Sequence, residues 1–243
     1  QLLFLLISMS FWLFLYMSAH TVLEFASHTD TGLVRSHNED AIVICSDIGL
    51  AILADGMGGY NAGEVASQMS VDLVREQIQQ KQAGSWMPRL PWQTSIPAKW
   101  INDAIVYANQ KVIEQANKNP DNFGMGTTIV TALCHQDKLV VGHVGDSRAY
   151  LFRDQYLEQI TRDHSVLQAQ IDAGLISQAD AHLSPIKNLI TRAVGSNDEI
   201  EVEVHDHQMR VGDIFVLCSD GLSDMLDQIH LQTVLREQSN DLD

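Results

Sequence analysis

Residues 52–67 read ILADGMGGYNAGEVAS, and the fold turns on how they are read. An apolar run, Ile52, Leu53 and Ala54, ends on Asp55-Gly56, and a glycine-rich turn leads into a segment where Val65, Met69 and Leu73 recur at helical spacing. The period changes from that of a strand to that of a helix, with a carboxylate at the join. Asp-Gly alone favours a tight turn, because Gly accepts positive φ and Asp bonds its own backbone. Three further acidic groups change the weighting: Glu39-Asp40, Gly145-Asp146-Ser147 and Ser219-Asp220-Gly221 also fall where apolar runs end or begin. Carboxylates delivered as the chain leaves a sheet suit hard divalent cations, whose ligands are oxygens. Zinc chemistry is disfavoured. The 10 histidines include no HExxH spacing, and His205-x-His207 reads as a pair on one strand face.

On either side, β-branched and apolar runs predict strands over residues 22–26, 41–45, 50–54, 127–134, 139–144, 148–152, 156–160 and 214–218. A helix is expected over about residues 62–80, with Val65, Met69 and Leu73 as its core face. A second follows Pro97, where Ile101, Ile105, Ala108 and Val112 share one face and Pro120 lies past the end. Residues 82–96 read as a surface connection. Residues 165–193 read as short helices broken at Gly174 and Pro185, an insertion able to overhang a site. A last helix is expected over residues 224–238.

Composition narrows the function. The chain has 243 residues, 45% of them hydrophobic, and 31 acidic against 15 basic residues give a net charge of −16. Such a chain folds, and its charge disfavours nucleic acid and anionic lipid as partners. Three cysteines without CxxC spacing, Cys45, Cys134 and Cys218, read as reduced core thiols, which favours the cytoplasm. Residues 2–18 contain no charge and approach the ~20 apolar residues that cross a bilayer. No basic region precedes them and no A-x-A site follows. Residues 1–20 are therefore read as an apolar leader. It is either a mis-called start, with Met9 or Met17 as the natural one, or a membrane anchor on a cytoplasmic domain spanning residues 21–243.

Seven segments in order carry a resemblance: FASHTDTGLVRSHNEDA, ILADGMGGYNAGEVAS, GMGTTIV, VGHVGDSRAYL, ITRDHSVL, LITRAVG and FVLCSDGLSDML. Together they resemble the type 2C, or PPM, metal-dependent protein serine/threonine phosphatases of bacteria. The resemblance implies an α+β fold, a four-layer αββα sandwich of two β-sheets flanked by helices. It implies a binuclear Mn²⁺ or Mg²⁺ centre in which Asp55 bridges two ions, the Gly56 carbonyl binds one and Asp220 the other. Glu39 and Asp40 would act through water. Asp146 and Asp224, with Asp220, would hold a third, weaker ion. Arg35 looks like the guanidinium that grips the substrate phosphate, its plainer reading being a surface salt bridge. Asp163 and His164 open the insertion that resembles the family's flap, or else serve to start a helix.

The activity implied is hydrolysis of phosphoserine and phosphothreonine by metal-activated water, without a phosphoenzyme. Phosphorylated proteins are the expected substrates, a Ser/Thr kinase the expected counterpart, and the chain is expected to be a monomer. Met57 stands where animal relatives often have His; Met cannot donate a proton, and a metal-bound water, or His37 or His164 at the rim, is the expected substitute. Relatives usually carry a late Asp-Asn pair whose Asp is another ligand; this sequence stops at Asp243 before any such motif, and the domain is read as truncated there. The alternative is a catalytically weak, phosphatase-like module that binds phosphoproteins.

Overall fold

The computed structural model describes residues 2–10, 22–33, 35–59, 62–84, 96–177, 180–181, 184, 186 and 189–238, the side chains of 2–10 and 22 excepted. Two antiparallel sheets stack face to face. The first runs β2 (Val22–Asp30), β1 (Leu2–Ser10), β11 (Ile214–Cys218), β8 (Arg148–Arg153) and β9 (Tyr156–Gln159). The second runs β10 (Glu203–Gln208), β7 (Lys138–Val144), β6 (Ile129–His135), β4 (Leu50–Met57) and β3 (Asp40–Cys45), with the two-residue β5 (Gly126–Thr127) extending the pairing of β4.

Three apolar interfaces define four layers. Strand side chains alternate between faces, and here both faces are covered. In β4, Leu50, Ile52 and Ala54 face the helices α1 (Ala62–Ala83) and α2 (Ile96–Lys118), while Ala51 and Leu53 face the other sheet. In β11, Phe215 and Leu217 face the second sheet. Ile214, Val216 and Cys218 face the short α4 (Asp220–Ser223) and α5 (Gln228–Gln238), from which Leu222, Leu231 and Leu235 complete the outer core. The order helix, sheet, sheet, helix is the αββα sandwich expected. Burial on both faces explains why these strands read as continuous apolar runs.

Several elements differ from expectation. The buried face of α1 is Ala66, Ser67, Ser70, Val74 and Ile78, with Val65, Met69 and Leu73 on its flank; small residues let the helix lie close to β4. The strand expected over 127–134 is broken at Thr128, and the final helix starts at Gln228. β10 was not anticipated. Nor was β1: residues 2–10, the first half of the apolar leader, pair antiparallel with both β2 and β11, so they are joined to the sheet by backbone hydrogen bonds. No helix among the described residues is long and apolar enough to cross a membrane. Residues 11–21, most of the connection 82–96, Pro185 and the tail 239–243 lie outside the described residues.

Candidate metal centre

The carboxylates converge where β3 begins and β4 and β11 end. β3 and β4 pair so that Asp40 lies directly opposite Asp55, and Asp220 opens α4 immediately after β11. Ser219 donates to Asp40 Oδ2 across 3.2 Å, joining the two sheets at the site. The other Asp40 oxygen, Oδ1, is buried and receives no hydrogen bond.

Charge crowding shows in the acidities. Burial, with repulsion from Asp220, pushes Asp40 up to about 6 despite hydrogen bonds that oppose the shift. Burial, then repulsion from Asp220 and Asp163, pushes Asp146 up to about 7. Asp55 is raised well above the usual carboxylate range by burial and by Asp40, Asp220 and Asp146. A cluster that resists ionisation this strongly fits divalent cations, which supply the missing positive charge.

The backbone is shaped around the same point. A Cβ on Gly56 would fall 2.1 Å from the Gly63 carbonyl oxygen, and one on Gly63 would fall 2.5 Å from Glu39 Oε1. The first turn of α1 is thus pressed against the end of β4 with Glu39 beside it. Gly56 N–H donates to the Glu39 carbonyl at 3.0 Å, and Ser67 Oγ donates to the same oxygen at 2.6 Å. Arg35, 64% exposed, donates through Nη1 to Glu39 Oε2 at 2.9 Å. It stands beside the centre as the salt bridge of its plainer reading. Asp146, Asp220 and Asp224 line one cavity of about 420 Å³ with Arg148, Asp163 and the inner face of α3 (Val166–Asp172). All the predicted site residues therefore lie at one end of the sandwich. An all-oxygen donor set with an unpartnered buried carboxylate oxygen fits Mn²⁺ or Mg²⁺.

A neighbouring cluster, His143, His164 and Glu203, also offers three ligand atoms within 4.8 Å of one another. Its geometry is that of a hydrogen-bonded brace. The two rings are stacked at 4.7 Å with 17° between planes, so their in-plane lone pairs do not converge. His164 Nδ1 accepts from Gly145 N–H at 3.2 Å, which puts the proton on Nε2, facing Glu203 Oε2 at 3.3 Å. A metal at Nε2 would require an imidazolate. Burial lowers the pKa of both rings and keeps them neutral.

These contacts take His164 away from the rim and leave His37 as the histidine that remains exposed. His164 is 7% exposed and engaged at both nitrogens, whereas His37 is exposed. Neither Asp163 nor His164 caps α3: Ser165 does so, accepting from Gln168 N–H at 3.1 Å. Asp163 instead holds Arg148 through contacts of 2.7–3.1 Å. Sequence reasoning also missed the hydroxyls of Ser219, Ser67, Thr128 and Ser147. Only Ser147 and Ser219 stand next to an acidic residue in the sequence, and Thr128 reads there only as packing near the site.

A carboxylate centre at the shared end of two antiparallel sheets, with a guanidinium beside it, is the arrangement of a metal-dependent phosphoester hydrolase. The family model described as Protein phosphatase 2C matches residues 26–242, and the chain belongs to that family. The serine/threonine phosphatase stp of Listeria monocytogenes is 35% identical over 214 residues, covering 86% of this chain and 82% of the relative. The serine/threonine protein phosphatase PstP of Mycobacterium tuberculosis is 40% identical over 204 residues, covering 84% of this chain and 37% of the relative. A crystal structure of the M. tuberculosis enzyme superposes with a TM-score of 0.77 at 36% identity, covering 87% of this chain and 84% of that one. A PstP catalytic domain in complex with two manganese ions superposes at 0.72 with 32% identity, covering 96% and 85%. The chain is a bacterial-type metal-dependent serine/threonine phosphatase, and a non-catalytic binding module is not favoured.

Proposed function

We infer that this chain removes phosphate from phosphoserine and phosphothreonine in proteins at the carboxylate centre formed by Asp40, Asp55, Asp146 and Asp220. One observation carries the assignment of residues: Asp40 lies opposite Asp55, Ser219 beside Asp220 bonds Asp40 Oδ2, and Asp40 Oδ1 is buried without a hydrogen-bond partner.

Asp55, the Gly56 carbonyl and Asp220 would hold two Mn²⁺ or Mg²⁺ ions, with Glu39 and Asp40 acting through water. Asp146 and Asp224, with Asp220, would hold a third. When bound, such ions supply Lewis acidity that acidifies water and offsets charge on the phosphoryl group. The chain's own residues orient and hold. Ser219 fixes one oxygen of Asp40, and the Gly56–Gly63 contact sets the height of the Gly56 carbonyl. Arg35 turns from Glu39 to the substrate, where its planar fork grips two phosphoryl oxygens.

A protein kinase must supply the phosphorylated substrate. Three free thiols, Cys45, Cys134 and Cys218, support residence in the reducing cytoplasm. A net charge of −16 supports a monomer by self-repulsion.

The test is hydrolysis of p-nitrophenyl phosphate and a phosphothreonine peptide in Mn²⁺, Mg²⁺ or EDTA. Activity is expected with either ion and not in EDTA, and Asp55→Asn or Asp220→Asn is expected to lower it by about a hundredfold or more. Equal turnover in EDTA, or full activity of Asp55→Asn, would overturn the reading.

A further inference from the structure

The register of β4 against β5 and β6 sets Leu53 opposite Val130 and Gly56 opposite Thr127, which puts Asp55 opposite Thr128. In an antiparallel hydrogen-bonded pair the two residues exchange both backbone hydrogen bonds. Here only one is made by backbone, Thr128 N–H to the Asp55 carbonyl at 2.9 Å. The other is replaced: Asp55 N–H donates to Thr128 Oγ1 at 3.0 Å. Thr127 Oγ1 lies 2.8 Å from both the Asp55 and the Thr128 carbonyl oxygens. The ladder is broken at the residue facing the carboxylate.

Thr128 reaches the other side as well. Its Oγ1 lies 2.6 Å from Ser147 Oγ. Its Cβ and Cγ2 lie so close to Gly145, which has φ +105°, that a Cβ there would come within 2.7 Å of each. Thr128 therefore touches both flanks of Asp146, by its methyl group at Gly145 and by its hydroxyl at Ser147. Thr128 is 2% exposed and Ser147 1%, so water cannot take over the lost bonds without reorganisation.

We propose that Thr128 is a positioning residue for the reaction: its hydroxyl spans from the Asp55 amide to Ser147 and fixes the separation of Asp55 and Asp146, and hence the affinity of the centre for divalent cations. The proposal rests on the metal-centre reading above. Hydrogen-bonded groups behind a metal ligand typically contribute about 10–100-fold in metal affinity or activity.

The experiment titrates Mn²⁺ into purified wild type, Thr128→Val, Thr128→Ser and Ser147→Ala by calorimetry, with free Mn²⁺ followed by electron paramagnetic resonance. Val keeps the methyl shape and loses the hydroxyl; Ser does the reverse. Thr128→Val is expected to bind about tenfold more weakly or worse, Ser147→Ala about threefold more weakly, and Thr128→Ser within about twofold of wild type. Turnover of Thr128→Val is expected to fall at low Mn²⁺ and recover at high Mn²⁺, with KM for the phosphopeptide unchanged. Failure of wild type to bind Mn²⁺ would defeat the metal-centre reading itself. With wild type binding, unchanged affinity in Thr128→Val, or equal losses in the Ser and Val variants, would overturn the role given to the hydroxyl. Should Thr128→Val not fold, Ser147→Ala decides, since it breaks the same span from its far end; unchanged affinity there overturns the proposal.

Discussion

Arg35 has two possible partners, and their energies differ. Its salt bridge with Glu39 is solvent-exposed on the arginine side, where such pairs contribute about 0–1 kcal/mol. A charge-assisted hydrogen bond to a phosphoryl group contributes about 1.5–3 kcal/mol. Arg35→Ala is therefore expected to lower kcat/KM for a phosphopeptide about 10–100-fold while leaving the thermal midpoint within ~1–2 °C. Arg35→Lys should recover only part of the loss, since an ammonium cannot match the planar fork. Steady-state kinetics beside a melting curve separates the two readings, and kcat/KM within about threefold of wild type would return Arg35 to its plainer role. At this scale the carboxylates were legible because each ends or begins an apolar run. The hydroxyls were not: Thr128 meets Asp55 across 73 residues of sequence, and only the register of β4 with β5 and β6 brings them together. His164 was illegible for the same reason: its partners, the Gly145 amide and Glu203, are brought to it by the fold.

The elements were legible wherever the period was clean. Apolar and β-branched runs located β4, β8 and β11, and the stripe of Ile101, Ile105, Ala108 and Val112 is fully buried in α2. β10 escaped because the charged and polar sequence EVHDHQ occupies the end of its sheet. β1 escaped because an unbroken apolar run does not distinguish a strand from a membrane span. In α1, the apolar stripe lies at the flank while Ala66, Ser67 and Ser70 face inward; pattern alone ranks residues by hydrophobicity and not by how close a backbone must come. That closeness is testable. Replacing Gly by Ala inside a helix ordinarily stabilises by up to about 1 kcal/mol. At Gly63 the new methyl would meet Glu39 Oε1 at 2.5 Å and the Gly56 and Met57 backbone at 2.9 Å, and overpacking of this kind costs about 1–3 kcal/mol. Gly63→Ala is expected to destabilise in urea and weaken Mn²⁺ binding together. A variant as stable as wild type would show that α1 does not press on β4 as described.

For the whole molecule, the buried carboxylates set how stability depends on pH. Unfolded, each titrates near 3.8; folded without cations, Asp40 titrates at about 6 and Asp146 at about 7, with Asp55 also raised. The folded state then binds more protons than the unfolded state between those limits, so stability falls as pH rises. The destabilisation is absent below about pH 4 and grows as the pH rises through about 6 and about 7, where Asp40 and Asp146 ionise. A carboxyl that titrates one pH unit higher folded than unfolded costs about 1.4 kcal/mol once ionised, so the cluster costs several kcal/mol against a total stability of typically ~5–15 kcal/mol. The same ionisation creates the cation site, and an ion at about 100 times its dissociation constant returns about 2.7 kcal/mol. Urea melts in EDTA are expected to show lower stability near pH ~8 than near pH ~5, and Mn²⁺ to raise stability much more at the higher pH. Calorimetric titrations near pH ~6 in buffers of differing ionisation enthalpy should show protons released as Mn²⁺ binds. A metal-free protein whose stability rises between pH ~5 and ~8 would mean that the carboxylates do not crowd one another in the fold, and the centre described here could not then be built from them.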